Sequence, residues 1–168
     1  MNPELLRLAE AIAERLRARG ETVAISESST GGLIASALLA VPGASRYFLG
    51  AGVVYTGQAR KAILGVTQAD MDAAGIRSSS EPYAALAAER IRKLMTADWG
   101  LSETGAAGPT GNRYGDSAGH SCIAVDGPAR SVTTVETGDD DRQANMVRFA
   151  AAALAEFQKT LDSAPMVA

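Results

Sequence analysis

Cysteine and histidine are nearly absent. The 168 residues hold one of each, Cys122 and His120. One cysteine excludes an internal disulfide, and one cysteine with one histidine is too few for a zinc site of the usual Cys/His kind. Long apolar runs are also missing: nothing approaches the ~20 residues that a transmembrane helix needs. The opening Met1-Asn-Pro-Glu4 lacks the charged and apolar regions of a signal peptide. A cytoplasmic protein without membrane attachment is therefore expected. Basic excess is lacking as well. The net charge is -3, which leaves no electrostatic footprint for nucleic acid and no basic amphipathic helix for a lipid surface.

What is present is ordinary for a globular chain, with 46% hydrophobic and 21% charged residues. The length suits one domain with a sizeable core, expected over 1–162 with a flexible tail over 163–168. Pro3 to Arg19 carries Leu5, Leu8, Ile12 and Leu16 at three- and four-residue spacing, the pattern of an amphipathic helix, with Gly20 suited to its end. Thr22 to Ser26 reads as a short buried strand, and Thr30 or Gly31 to Ala40 as a helix stopped by Val41-Pro-Gly43. Gly50 and Gly52 split Tyr47-Phe-Leu49 from Val53-Val-Tyr55, and a second strand is expected over Ala51 to Tyr55, with a bend before it. Short helices follow over Gln58 to Leu64 and from Thr67 to Gly75. Ser80-Glu-Pro82 opens the longest central helix. Trp99 to Thr104 reads as a third strand, and Ser121 to Val125 with Ser131 to Glu136 as a hairpin. The last helix carries Val147, Ala150, Leu154, Phe157 and Leu161 on one face. This order, α-β-α-β-α-α-α-β-β-β-α, predicts an α/β protein: a three-layer α/β/α sandwich around a mixed sheet.

Two glycine-rich loops each follow an expected strand: Glu27-Ser-Ser-Thr-Gly-Gly32, and Thr104-Gly-Ala-Ala-Gly-Pro-Thr-Gly-Asn112. Ligands of α/β sheets bind beyond the carboxyl ends of strands, and free N–H groups at a helix N-terminus attract anions. Neither loop has the G-x-G-x-x-G spacing, and neither is followed by G-K-[ST]. Either is otherwise a tight turn. Ser28, Ser29 and Thr30 place three hydroxyls in the first loop, and a hydroxyl needs an activator to act as a nucleophile. His120, at a strand start, is the only imidazole. A lysine is the alternative, and Tyr55-Thr-Gly-Gln-Ala-Arg-Lys61 offers Tyr55, Arg60 and Lys61. Glu27 is suited either to the helix N-terminus or to acid chemistry.

Glu27-Ser-Ser-Thr-Gly-Gly32, Val41-Pro-Gly-Ala-Ser45, Val54-Tyr-Thr56, Leu64-Gly-Val66, Ser80-Glu-Pro82 and Gly105-Ala-Ala-Gly-Pro109 stand in the order and spacing of the CinA C-terminal domain family. The chain resembles that family, which includes stand-alone nicotinamide-nucleotide amidohydrolases, over nearly its whole length. The resemblance implies an α/β/α fold and a homodimer or larger homo-oligomer. It implies hydrolysis of nicotinamide mononucleotide to nicotinate mononucleotide and ammonia, without a metal or organic cofactor. By position, Ser28 matches the nucleophile, and Thr30, Gly31 and Gly32 match the turn behind it. Tyr55 matches the tyrosine near the dyad, and Thr104, Gly105 and Gly108 match a loop facing the nucleotide.

The family's basic lysine, five residues after the tyrosine, is here Arg60, with Lys61 one place on. An arginine stays protonated at neutral pH. Either Lys61, or a water network involving Tyr55, handles the proton, or the chain is a nucleotide-binding or regulatory module in which Arg60 clamps a phosphate or carboxylate. Other departures are Gly57 for an asparagine, Asp116-Ser-Ala-Gly119 for Lys-Pro-Val-Gly, and Gly138-Asp-Asp-Asp-Arg142 for a shorter Gly-Asp-Arg. Arg142 is thereby a substrate-binding candidate.

Overall fold

The computed structural model describes residues 1–166. Helix α1 (Pro3–Arg19) begins at Asn2, whose side chain accepts from the Glu4 and Leu5 N–H groups, and ends at Gly20 in the left-handed region. Strand β1 (Val23–Glu27) follows, then α2 (Leu33–Ala40) and β2 (Phe48–Val53). Helix α3 (Gly57–Ala59) runs into a π-helical turn (Arg60–Leu64), before α4 (Gln68–Ala74) and α5 (Glu81–Met95). Strands β3 (Trp99–Ala106), β4 (His120–Asp126) and β5 (Ser131–Glu136) come next, and α6 (Arg142–Ser163) closes the order. The element order is the one the sequence pattern predicts.

The five strands lie in the order β2-β1-β3-β4-β5. β1 is parallel to β2 and β3, while β3, β4 and β5 pair antiparallel. The sheet is mixed, as expected. Side chains alternate between its faces. Val23, Ile25, Trp99, Leu101, Ile123 and Val125 pack with α1, α2 and α6. Ala24 packs with Tyr83, Ala87 and Ile91 of α5, and Cys122 and Ala124 pack with Ala84 and Ala88. Helices thus cover both faces. α5 sits so close that a Cβ on Gly100 would lie 2.1 Å from the Ala88 carbonyl oxygen.

The second strand differs from the expected Ala51 to Tyr55. It spans Phe48–Val53 and pairs Val23 with Phe48 and Glu27 with Val53. Gly50 and Gly52 do not bend the chain away. They lie within the strand, where a Cβ would meet Met95 Sδ at 2.9 Å and Ile63 Cγ2 at 2.8 Å. The missing side chains make room for the covering layer. Helix α2 starts at Leu33, later than expected, because Gly31 and Gly32 have φ of 61° and 99° and cannot continue a right-handed helix. Of the tail expected over 163–168, Ser163 closes α6, Ala164 packs into the core, and residues 167–168 lie outside the described residues. Among the described residues, no helix is long and apolar enough to cross a membrane.

The parallel register brings the carboxyl ends of β1, β2 and β3 to one edge of the sheet. The chain leaves that edge as the Ser28 turn, the Tyr55 segment and the Ala107–Gly119 loop.

Candidate functional site

Two carboxylates organise the edge. Glu27 and Glu103 stand on neighbouring strands, on the face that also carries Ile25 and Leu101, and are 1% and 2% exposed. Glu27 accepts from the N–H groups of Gly32 (3.0 Å), Ile34 (3.1 Å) and Ala35 (2.7 Å), and from the Thr30 hydroxyl at 2.7 Å. It therefore occupies the N-terminus of α2. Burial pushes its carboxyl pKa up against these donors, and the nearby Glu103 charge adds to the rise. Glu103 accepts from the N–H groups of Ser28 (3.1 Å) and Thr30 (3.0 Å), and from the hydroxyls of Ser29 and Ser121. The Thr30 hydroxyl lies 3.0 Å from Glu103 as well. It has one hydrogen to share between two carboxyl groups.

This network corrects the reading of the first loop as an open anion site. The N–H groups of Ser28, Thr30 and Gly32 are taken by the chain's own carboxylates, and that of Gly31 donates to the Ser28 carbonyl at 3.2 Å. These contacts make the turn a mount for Ser28. The side chains of the buried Ser29 and Thr30 serve the mount, while Ser28 is half-buried and borders a cavity; Ser29 borders the neighbouring one.

That cavity, of about 280 Å³, is bordered by Ser28, Tyr55, Gly57, Arg60, Ser78, Ser79, Tyr83, Thr104 and Gly105. A second, of about 250 Å³, is bordered by Ser29, Tyr55, Gly105, Gly108, Asn112 and Arg142. They share Tyr55 and Gly105, so they lie side by side at the sheet edge, as two halves of the candidate site. Arg142 donates to the Gly108 carbonyl at 2.7 Å and to the Tyr55 hydroxyl at 3.1 Å, which ties the second loop to the Tyr55 segment. Asn145 fastens the same loop from within α6, donating to the carbonyls of Ala107 and Asp139 at 2.8 Å each. Gly31 and Gly32 border neither half of the cleft.

Arg60 and Lys61 part company at the start of the π-helical turn. Arg60 is 5% exposed and borders the Ser28 half of the cleft. It donates to the Val66 carbonyl (3.3 Å), the Ser78 hydroxyl (3.4 Å) and the Gln68 side-chain oxygen (2.9 Å). None of these partners carries a negative charge. Lys61, one residue on, is exposed and borders neither half.

His120 stands behind the cleft and does not border it. Its ring lies between Glu136 (Nδ1, 2.5 Å) and the Ser79 carbonyl (Nε2, 2.8 Å), with an Asp116 oxygen 3.7 Å from Nε2. Both nitrogens face acceptors, so the imidazolium satisfies both. Burial pulls the His120 pKa down, but the Glu136 and Ser79 contacts and the Asp116 charge outweigh it and hold it above the usual value. The ring steadies Ser79, whose φ of 55° is unusual for a residue with a side chain. Asp116 is fixed in turn by Arg77.

Glu103, Ser78, Ser79 and Gln68 were not among the residues singled out from sequence. A carboxylate inside the apolar strand Trp99–Thr104 was the available signal for Glu103, since a buried charge needs partners. No local signal marks Ser78 and Ser79, because it is the path of the connection between α4 and α5 that brings them in. Among the described residues, no cluster of three His, Cys, Asp or Glu side chains is placed to hold a metal.

A sequence model of the CinA C-terminal domain matches residues 5–161. A CinA-like protein of Desulforapulum autotrophicum is 37% identical over 160 residues, 94% of this chain and 37% of that protein. One from Gloeobacter violaceus is 43% identical over 124 residues, 74% of this chain and 29% of its own length. The chain thus spans little more than a third of these relatives at most. Among solved structures, a competence-damaged protein (CinA) superfamily protein from Escherichia coli superposes with a TM-score of 0.85 at 27% identity, covering 95% of this chain and 92% of that one. A competence/damage inducible protein from Agrobacterium tumefaciens gives 0.86 at 27% identity, over 97% and 98%.

Proposed function

The chain belongs to the CinA C-terminal domain family, and from that membership and the cleft we propose that it binds a pyridine mononucleotide of the nicotinamide type without supplying the base for its deamidation. One observation carries this reading: the cation that shares the cavity with Ser28 is Arg60, and Lys61 lies outside.

Hydrolysis of a carboxamide by a serine begins with acylation, which requires two proton movements, and ends when water cleaves the acyl-serine by the same kind of transfers, returning the serine proton. The hydroxyl must lose its proton as oxygen bonds to the carbonyl carbon, and the departing nitrogen must gain one to leave as ammonia. A neutral lysine can do both. A guanidinium at neutral pH can only donate hydrogen bonds. Glu103 holds the Ser28 backbone N–H. Among the described residues, the cation that shares the cavity with Ser28 is thus one that cannot take up the proton. Arg142 and the second loop border the other half of the cleft, where they suit the ribose phosphate.

A second reading, slow hydrolysis by Ser28 with proton transfer through water at Tyr55, is favoured by Ser28 and Tyr55 bordering one cavity. The test is to titrate the protein calorimetrically with nicotinamide mononucleotide and to assay the same mixture for ammonia. Binding without ammonia is the expected result. Ammonia production lost in Ser28→Ala would establish the second reading instead, and absence of binding would overturn both.

A further inference from the structure

We infer that the Ser28 half of the cleft selects the acid form of the nucleotide: a pyridine carboxylate rather than the corresponding carboxamide. The inference rests on the pyridine-nucleotide reading above and names the ligand that this chain's own side chains prefer.

The charge of Arg60 is the first ground. Its side chain is almost wholly removed from water, yet its hydrogen-bond partners are a carbonyl, a hydroxyl and an amide oxygen. Burying a cation without a counter-charge is costly. A ligand that brings a negative charge into the cavity lowers that cost, and a neutral amide does not.

Hydrogen-bond geometry is the second ground. A guanidinium has one N–H on Nε and two on each terminal nitrogen. Val66 takes the Nε hydrogen, Ser78 takes one on Nη1, and Gln68 takes one on Nη2. One N–H then remains on each terminal nitrogen. Each of these hydrogens is available to an oxygen of a carboxylate. Both terminal nitrogens lie at the cavity wall: Nη1 meets Ser78, Nη2 lies 3.7 Å from where a Cβ on Gly57 would stand, and Ser78 and Gly57 both border the cavity. A carboxamide presents one oxygen and an NH2 group, so its NH2 would face a donor.

Position is the third ground. Ser28 and Arg60 share a space of about 280 Å³. If the group at Ser28 is the substituent on the pyridine ring, Arg60 is within the same small enclosure. Arg142 borders the other half of the cleft and not this one, so the distinction between acid and amide falls to Arg60.

The test is a pair of calorimetric titrations of the intact protein near neutral pH, with nicotinate mononucleotide and with nicotinamide mononucleotide. The acid is expected to bind at least about tenfold more tightly, as befits a charge-assisted pair against a neutral contact. In Arg60→Gln the ratio should fall to about one, chiefly through loss of affinity for the acid. The wild-type ratio needs no variant, so a poorly folding Arg60→Gln does not shield the claim. Binding of both nucleotides with equal affinity, or a preference for the amide, overturns the inference and leaves the nucleotide reading standing. A preference for the acid that survives in folded Arg60→Gln removes Arg60 as its cause. If neither nucleotide binds, the underlying reading fails and the inference fails with it.

Discussion

Replacing Glu103 separates its two duties, counter-charge and acceptor. Its Oε2 takes the Ser28 and Thr30 N–H groups, which cannot turn away, while its Oε1 takes the Ser29 and Ser121 hydroxyls, which rotate freely. Glu103→Gln retains the arrangement if the amide oxygen occupies the Oε2 position and the NH2 group faces the hydroxyls, which then accept. The variant exchanges charge-assisted bonds for neutral ones and should lose about 1–2 kcal/mol. Glu103→Leu leaves the buried Thr30 N–H and the part-buried Ser28 N–H with no acceptor. At about 1–3 kcal/mol for each stranded donor, the loss is about 2–6 kcal/mol before any steric effect. Total stability is typically about 5–15 kcal/mol, so the leucine variant stands near the limit of folding. Urea denaturation of the three proteins checks this. If Glu103→Leu lies within about 1 kcal/mol of wild type, or if Gln and Leu cost the same, Glu103 is not the mount of the Ser28 turn.

Other variants probe other parts of the account. His120 carries a raised pKa in the folded protein, so its stabilising contribution is fully present below the unfolded value of about 6.5 and is lost as pH rises through the folded value. Urea midpoints of wild type should therefore fall between about pH 6 and about pH 8 more than those of His120→Gln; parallel curves would show that the ring does not titrate in this way. Gly100→Ala forces a Cβ to 2.1 Å from the Ala88 carbonyl, and thermal melting should report a loss of about 2 kcal/mol or more. An unchanged melting temperature would mean that α5 is free to move off the sheet. Lys61→Ala, at an exposed position away from both halves of the cleft, should leave nucleotide affinity within about twofold of wild type by calorimetry; a larger loss would place that side chain in the site.

The fold was legible because most of its elements carry their own punctuation. Helix α1 has Pro3 at its start, Gly20 at its end and leucines at helical spacing, and its bounds match the pattern. The second strand was misplaced because Gly50 and Gly52 look locally like a bend, whereas Met95 and Ile63, far away in sequence, require the space. The first loop was legible as a strand-turn-helix with hydroxyls, but not its occupation. Nothing local says that Glu103, 75 residues from Ser28, reaches back to take the turn's N–H groups. Arg60 and Lys61 were adjacent candidates in the sequence, and the start of the π-helical turn buries one and exposes the other. The left-handed Ser79 and its tie to His120 depend on β4 and β5 packing behind a loop, which no short motif encodes.

The most direct test of the central claim is ammonia release from nicotinamide mononucleotide by wild type and by Arg60→Lys under identical conditions. The account predicts nucleotide binding without ammonia in wild type and measurable ammonia in Arg60→Lys, because the lysine restores a side chain able to give and take a proton beside Ser28. Steady ammonia release by wild type that disappears in Ser28→Ala would contradict it.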